Sequence, residues 1–443
     1  MNTHTLNAWV GQALLGTLTY DDATGRFAFN YDPAWTTSPH AYPVSPSLPF
    51  VRPEELSDEL HSVSVRRFFE NLLPEGKALE DAAGANQVSK ANLYGLLRSL
   101  GRESTGALSL LPEGLTPEKT PNSKREISHA ELSQRIQDRA NQPFNIWDGR
   151  VRLSIAGLQD KLAVFRDKEE KLYLVEGQLA STHILKPEPL NPNLRHLVAN
   201  EHFCLNLAAR LGVHTPETEI LRVPEALLVV KRFDRQLSTE GVQRLHCVDT
   251  CQALDLGVSH KYERNFGSGR DVAHIRDGVS LERLFSLAPL TQAEAATRME
   301  LLRWSLIQYL IGNSDAHGKN VSFLVESGGL RLAPFYDMVS VCIYPDIEHE
   351  AAMALGDEFN FERVRAYDWA EFAYRCGIPP RLIVREIKRI TRALRKEAPI
   401  QIVWSGYTHE EREVLQQVTE YSLKQAGQLE QDAGHITKVR IEE

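Results

Sequence analysis

An apolar run from Leu301 to Ile311 stops at Asn313-Ser314, and the chain then reads Asp315-Ala316-His317-Gly318-Lys319-Asn320, with Phe335-Tyr336-Asp337 further on. The apolar run reads as a buried, helix-like element, and the Asn-Ser pair breaks it into a loop. The polar cluster therefore sits at the end of a core element. It sets a carboxylate, a carboxamide five residues later and a second carboxylate seventeen residues beyond that. Phosphoryl transfer uses such a set: one Asp orients or deprotonates the attacking hydroxyl, while an Asn and another Asp hold Mg²⁺ against nucleotide phosphates. The same residue types also make plain surface turns.

At 443 residues the chain suits two or three subdomains, and its 42% hydrophobic content is ample for sizeable cores. A formal charge of −9 argues against general affinity for nucleic acid, so any such contact must be local. Cys204, Cys247, Cys251, Cys342 and Cys376 are too dispersed for a disulfide framework. His246, Cys247 and Cys251 lack the second ligand pair that a tetrahedral zinc site needs, and buried reduced thiols are expected. Met1 to Tyr20 carries no Asp, Glu, Lys or Arg, yet Asn, Thr, His and Gln interrupt it and no basic segment precedes it, unlike a signal peptide. No stretch reaches the roughly 18 apolar residues of a membrane span. A cytoplasmic protein with no membrane partner is expected.

Trp9 to Gln12 and Leu15 to Tyr20 read as short strands, and the alternation of Phe27, Phe29 and Tyr31 adds a hairpin partner. One or two helices are expected in the first hundred or so residues, among them Ser64 to Leu73. Leu111 to Glu126 has loop composition and places a boundary there. Strand candidates follow at Leu153 to Val164 (around a turn), Leu172 to Val175, His183 to Leu185 and Ala226 to Val230, with a helix from Leu197 to Leu211 stopped by Gly212. Beyond Leu245 the chain reads as mostly helical: Leu281 to Leu287, Thr291 to Ile311, Tyr367 to Tyr374, Pro380 to Ala398 and His409 to Gln428. Strands first and helices after give an α+β class. The expected domains are 1–112, 113–235 and 236–443.

Further chemistry is spread along the strand-rich part. Ser154-Ile155-Ala156-Gly157-Leu158-Gln159-Asp160-Lys161 joins two apolar runs; it is either a loop whose N–H groups meet phosphate or an ordinary hairpin. Lys186 ends a strand, where a kinase lysine grips phosphates and where solvated lysines are also common. Glu201 on the next helix is a candidate ion-pair partner, although Asn200-Glu201 also fits a solvent-facing edge. Lys231-Arg232-Phe233 closes the last strand, as an adenine-binding hinge does, while Arg232, Asp234 and Arg235 also fit a salt-bridged strand end. Asp315 and Asn320 have the spacing of the protein-kinase catalytic loop, without its preceding His-Arg. The joint order of phosphate loop, lysine, glutamate, hinge, Asp, Asn and Asp is that of a two-lobed kinase.

On Ser154 to Lys161, Thr182 to Lys186, Asn200-Glu201, Arg232 to Arg235, Cys251 to Ala253, Lys261-Tyr262-Glu263, Gly312 to Asn320 and Pro334 to Asp337, the sequence resembles the HipA family of bacterial Ser/Thr protein kinases, the toxins of HipA–HipB modules. Gly16 to Leu18, Leu48 to Phe50, Phe69 to Pro74 and Gly101 to Ala107 resemble that family's small N-terminal subdomain. The resemblance implies a two-lobed protein-kinase-like fold, with a β-rich N-terminal subdomain and a mostly helical C-terminal lobe. It implies ATP and Mg²⁺ as cofactors, a HipB-like DNA-binding antitoxin as partner, and an aminoacyl-tRNA synthetase (the glutamyl enzyme first) as the substrate whose phosphorylation stalls translation and favours dormancy. By motif match Asp315 is the proton acceptor, Asn320 and Asp337 hold Mg²⁺, and Lys186 grips phosphate. Ala156, Gly157, Leu158, Gln159, Asp160 and Lys161 cover the nucleotide; Lys231, Arg232 and Phe233 form the hinge; His317 and Tyr336 complete the cofactor set. Ser154 matches the serine phosphorylated in trans, whose dianionic phosphate cannot remain inside an anionic nucleotide site.

Two departures stand out. Lys231 occupies a position where the family pattern is acidic, and Leu158-Gln159-Asp160 replaces Ala-Gln-Glu. Arg381, Arg385, Lys388, Arg389, Arg392, Arg395 and Lys396 form a basic stripe at near-helical spacing, either a solvated face or a contact to the phosphate backbone of antitoxin-bound DNA. Two other functions fit the same residues: a co-repressor with vestigial catalysis, and a small-molecule phosphotransferase.

Overall fold

Leu6 and Ala8 are buried between half-exposed Thr5 and Asn7, and this period of two carries a strand from Thr3 to Val10 in the computed structural model, which describes residues 3–119, 121–152, 159–177, 179–238 and 241–441. The chain divides into two compact units. The first comprises Met1–Pro187, Leu221–Val258 and Phe323–Leu330; the second comprises Glu188–Ile220, Ser259–Ser322 and Arg331–Glu443. The segments expected from sequence, 1–112, 113–235 and 236–443, differ from these units because the chain returns twice to the first.

In the first unit, Thr3–Val10 pairs with Ala13–Asp21 across a turn at Gly11-Gln12, so the strand expected at Trp9 to Gln12 begins earlier and loses its last two residues to the turn. Gly11 takes a φ of +57°, which glycine adopts without steric cost. Arg26–Tyr31 and Leu108–Pro112 complete a four-stranded antiparallel sheet. The helix on it runs Asp58–Glu70, ahead of the expected Ser64 to Leu73, because Ser57 caps it: its Oγ accepts the Leu60 N–H at 3.3 Å, and Asp58 and Glu59 face the positive helix end. Gly76–Ala85 and Leu93–Leu100 are further helices. The stretch expected to be loop, Leu111 to Glu126, contains most of a strand, Ser123–Ile127, which forms the edge of a second sheet.

That second sheet runs in the order Thr218–Arg222, Ala226–Lys231, His183–Pro187, Leu162–Arg166, Leu172–Glu176 and Ser123–Ile127. Leu185 lies opposite Leu162 on one side and Val229 on the other, and all three join a core with Phe144, Trp147 and Leu174. Successive strand residues face opposite ways, so Lys186 is held on the other face of the sheet, opposite Leu228.

The second unit is built on helices Leu197–Leu211, Glu294–Ile311, Ala366–Arg375, Pro380–Ile402 and His409–Ile436. The last extends past the expected Gln428 because Leu429, Ala433 and Ile436 continue the buried stripe. Pro380–Ile402 continues one turn beyond Pro399, at which the sequence reading stops it. Asn200 and Glu201, read as a solvent-facing edge or an ion-pairing site, are 0% and 2% exposed, which removes the first reading. Asn200 Nδ2 donates to the Ser340 carbonyl at 3.0 Å and to the Tyr344 hydroxyl at 3.1 Å, and its Oδ1 accepts the Ser340 N–H.

Candidate active site

The Glu294–Ile311 helix ends at Gly312, whose φ of +67° reverses the chain. The Gly312 N–H donates to Tyr309 and the Asn313 N–H to Gln308, which satisfies the terminal carbonyls. The loop that follows is pinned on both flanks. The Gly318 N–H donates to the Lys261 carbonyl at 2.9 Å, and the Ser314 carbonyl accepts the Ala352 N–H at 2.8 Å. Gly318 packs so closely on Val279 that a Cβ there would lie 2.6 Å from its methyl carbon. Within this packed loop Asn313, Ser314, Ala316, His317, Gly318, Lys319 and Asn320 are all buried, and Asp315 is exposed. The fold buries the loop and presents one carboxylate.

Asn320 Nδ2 donates to the Asp315 carbonyl at 3.0 Å. That bond fixes the amide orientation and leaves the side-chain oxygen as the acceptor available to a cation. Asp337 holds the left-handed φ of +52°, a conformation costly for a non-glycine residue, and its carbonyl accepts from Asn313 Nδ2 at 3.2 Å. Both donors are hard oxygens, which suits Mg²⁺. No group of three or more His, Cys, Asp or Glu residues that could hold a metal occurs among the described residues. Two protein donors fit a Mg²⁺ ion that shares its remaining ligands with water and phosphate.

His317 is buried, with its ring edge-on to Tyr262 at 5.2 Å. Burial and the nearby Lys261 charge pull its pKa down to about 3, so the imidazole is neutral at physiological pH. Its Nδ1 has no hydrogen-bond partner among the described residues, an orphan buried polar atom of the kind a bound ligand satisfies. The Tyr336 hydroxyl donates to the Lys319 carbonyl at 2.6 Å and lies 2.7 Å from Ser322 Oγ. It ties the Asp337 segment to the Asp315 loop.

In the first unit, Lys186 is only 4% exposed on a central strand, so it is not a solvated strand-end lysine. Burying an ammonium is costly unless acceptors or anions surround it. Lys161 is also buried, Gln159 Nε2 donates to the Pro187 carbonyl at 3.3 Å, and burial raises the Asp160 carboxyl despite Arg139 at 3.6 Å. Ser154, Ala156, Gly157 and Leu158 lie outside the described residues.

Lys231 is exposed at the strand end and Phe233 is half-buried. Arg232 is otherwise engaged: its N–H donates to the Thr182 carbonyl, and its guanidinium makes a bidentate pair with Asp234 at 2.9 and 2.7 Å and reaches Ser181 Oγ at 2.9 Å. Asp234 also accepts from Arg235 and from the Gly106 N–H. Burial alone would raise its pKa, but the two guanidinium charges outweigh that and hold it well below the usual carboxylate range. The Arg232 side chain is thus the salt-bridged strand end.

Sequence reasoning assigned no role to Tyr262, whose hydroxyl donates to Asp315 Oδ1 at 2.7 Å. Its only signal was its place in Lys261-Tyr262-Glu263. The basic stripe lies on the Pro380–Ile402 helix, but Arg389 pairs with Glu386, Arg395 with Glu430 and Lys396 with Glu397. Arg381, Lys388 and Arg392 are exposed with no ion pair among the described residues.

Residues 6–111 match the HipA N-terminal domain model, and residues 153–398 match the HipA-like C-terminal domain model. The chain belongs to the HipA family. It is 41% identical over 397 residues to the serine/threonine-protein kinase toxin HipA of Shewanella oneidensis, covering 88% of each chain. It is also 33% identical to the putative kinase Y4mE of Sinorhizobium fredii, over 88% of this chain and 90% of that one. The solved complex of Shewanella oneidensis HipA with HipB and operator DNA contains a chain matching 98% of this one, with a TM-score of 0.88 and 36% identity. This HipA-family chain is a serine/threonine-protein kinase with the α+β kinase-like fold of its relatives. No described helix is long and apolar enough to cross a membrane.

Proposed function

We propose that this HipA-family kinase uses Mg-ATP to phosphorylate an aminoacyl-tRNA synthetase, the glutamyl enzyme being the first candidate, and that a HipB-like antitoxin restrains it. The observation that carries the catalytic part is the exposure of Asp315 alone in an otherwise buried loop, whose Asn320 bonds the Asp315 carbonyl and whose Asn313 bonds the Asp337 carbonyl. In this reading Asp315 accepts the proton of the attacking hydroxyl. Asn320 and Asp337 would hold Mg²⁺, which when bound would neutralise charge on the nucleotide phosphates. Lys186 binds phosphate, the Gln159 to Lys161 end of the loop lies over the nucleotide, and the Lys231 to Phe233 segment contacts the base. Neutral His317 offers its unpartnered Nδ1 as a hydrogen-bonding atom in the same set. The cytoplasmic setting of a synthetase and the stalling of translation belong to the same proposal.

Silencing is proposed to occur by transfer of phosphate to Ser154 of a second copy. Incubation with Mg-ATP followed by mass spectrometry tests both parts. The expected result is phosphate on Ser154 in the wild type and none on an Asp315→Asn chain that still binds ATP. Phosphate on the Asp315→Asn chain at the wild-type rate would remove Asp315 from the chemistry. The partner reading rests on the matched HipA–HipB–operator complex, and the basic helix supplies the local surface by which an acidic chain would approach DNA.

A further inference from the structure

Resting on the catalytic reading of Asp315, we propose that Tyr262 is a positioning residue that orients the Asp315 carboxylate for proton abstraction. Its phenol donates to Asp315 Oδ1 at 2.7 Å. Holding one oxygen fixes the rotation of the carboxylate, and so fixes where the other oxygen lies. An exposed Asp otherwise samples several side-chain orientations.

The residues on either side of Tyr262 are immobilised, which makes the phenol a fixed strut. Lys261 is buried and its carbonyl accepts the Gly318 N–H from the Asp315 loop. Glu263 is 2% exposed; its carboxylate accepts the Ala354 N–H at 2.8 Å and pairs with Arg276. Its N–H donates to the Ala352 carbonyl at 2.9 Å, and its carbonyl accepts the Gly278 N–H at 3.1 Å. Ala352 in turn donates to Ser314, the residue before Asp315. The tyrosine and the aspartate are thus carried by one hydrogen-bonded frame, and the His317 ring packs T-shaped against the phenol ring at 5.2 Å.

In the transfer step the acceptor oxygen bonds to the γ-phosphorus as its bond to the β-bridging oxygen breaks. The hydroxyl proton passes to Asp315, ADP departs, and Tyr262 keeps its proton throughout. The phenol acts through Asp315.

The test uses full-length Tyr262→Phe, which keeps the ring against His317 and deletes only the donor. Transfer from γ-labelled Mg-ATP is measured with the Asp315→Asn chain supplied as acceptor. The expected result is a fall in kcat of about 10-fold to 100-fold with KM for ATP unchanged, part of the range that general-base catalysis spans. Thermal midpoint should stay within a degree or two of wild type. A kcat within twofold of wild type would overturn the proposal while leaving Asp315 in place. A parallel loss of ATP affinity and thermal midpoint would make Tyr262 a structural residue, and that too would overturn it. No transfer by the wild type would remove the catalytic reading beneath both.

Discussion

Gly312 shows how much of the site depends on one backbone. Its φ of +67° disfavours any residue with a Cβ, and a Cβ there would sit 2.5 Å from the Tyr421 ring. Gly312→Ala therefore combines a conformational cost of roughly 1–2 kcal/mol with a clash that must displace an aromatic ring. We expect a loss of at least about 2 kcal/mol in urea unfolding; a change below about 0.5 kcal/mol would show that the helix end relaxes freely. Asp315, Asn320 and Asp337 stood out as candidates in sequence because their residue types and short spacing are local features. Their burial contrast was not legible, since it depends on Lys261, Val279 and Ala352, which reach the loop from elsewhere in the chain. Lys186 makes the same point: strand pairing, not local composition, decides that it is buried.

The Pro380–Ile402 helix carries its own argument. Ile383, Ile387, Ile390 and Leu394 are fully buried at a spacing of four, three and four residues, and so fix which side faces the core. The sequence therefore located both the helix and its basic side. It could not show which cations are already committed, because Glu430 and the Arg303 that shares Glu386 with Arg389 come from other helices. If this face meets operator DNA in an antitoxin assembly, Arg381, Lys388 and Arg392 are the residues to neutralise. Replacing all three with Gln should weaken assembly on DNA and flatten the salt dependence by about 0.9 per lost phosphate contact. Salt titration of operator binding, with the antitoxin present throughout, measures this. An unchanged slope would make the stripe a solvated surface.

At the scale of the whole chain, the early strands and late helices were readable from periodicity, but the division into units was not. The first unit gathers the N-terminal sheet, the lysine-bearing sheet and two later returns of the chain. Buried Arg235 and half-buried Arg244 donate to the Gly106 and Leu108 carbonyls, and Asp234, paired with Arg232, accepts the Gly106 N–H, so the N-terminal part is bound to the strand end by charge as well as by packing. Each unit also buries a histidine outside the candidate site. In the second, His202 Nδ1 lies 2.7 Å from the Tyr407 hydroxyl and the ring stacks on Trp404; in the first, the His246 ring stacks on Tyr42 and its Nε2 meets the Val44 carbonyl at 2.7 Å. Burial pulls both pKa values down to about 4, against 6.5 in an unfolded chain. Between those values the unfolded chain binds more protons, so stability must fall as pH drops from about 6.5 towards 4. Each histidine should contribute on the order of 2–3 kcal/mol to that fall. Thermal midpoints at pH 7, 6 and 5 should therefore decline steadily, and His202→Gln, which keeps a polar group near Tyr407, should flatten the decline. A pH-independent midpoint over this window would mean that the two imidazoles are accessible to protonation in the folded protein.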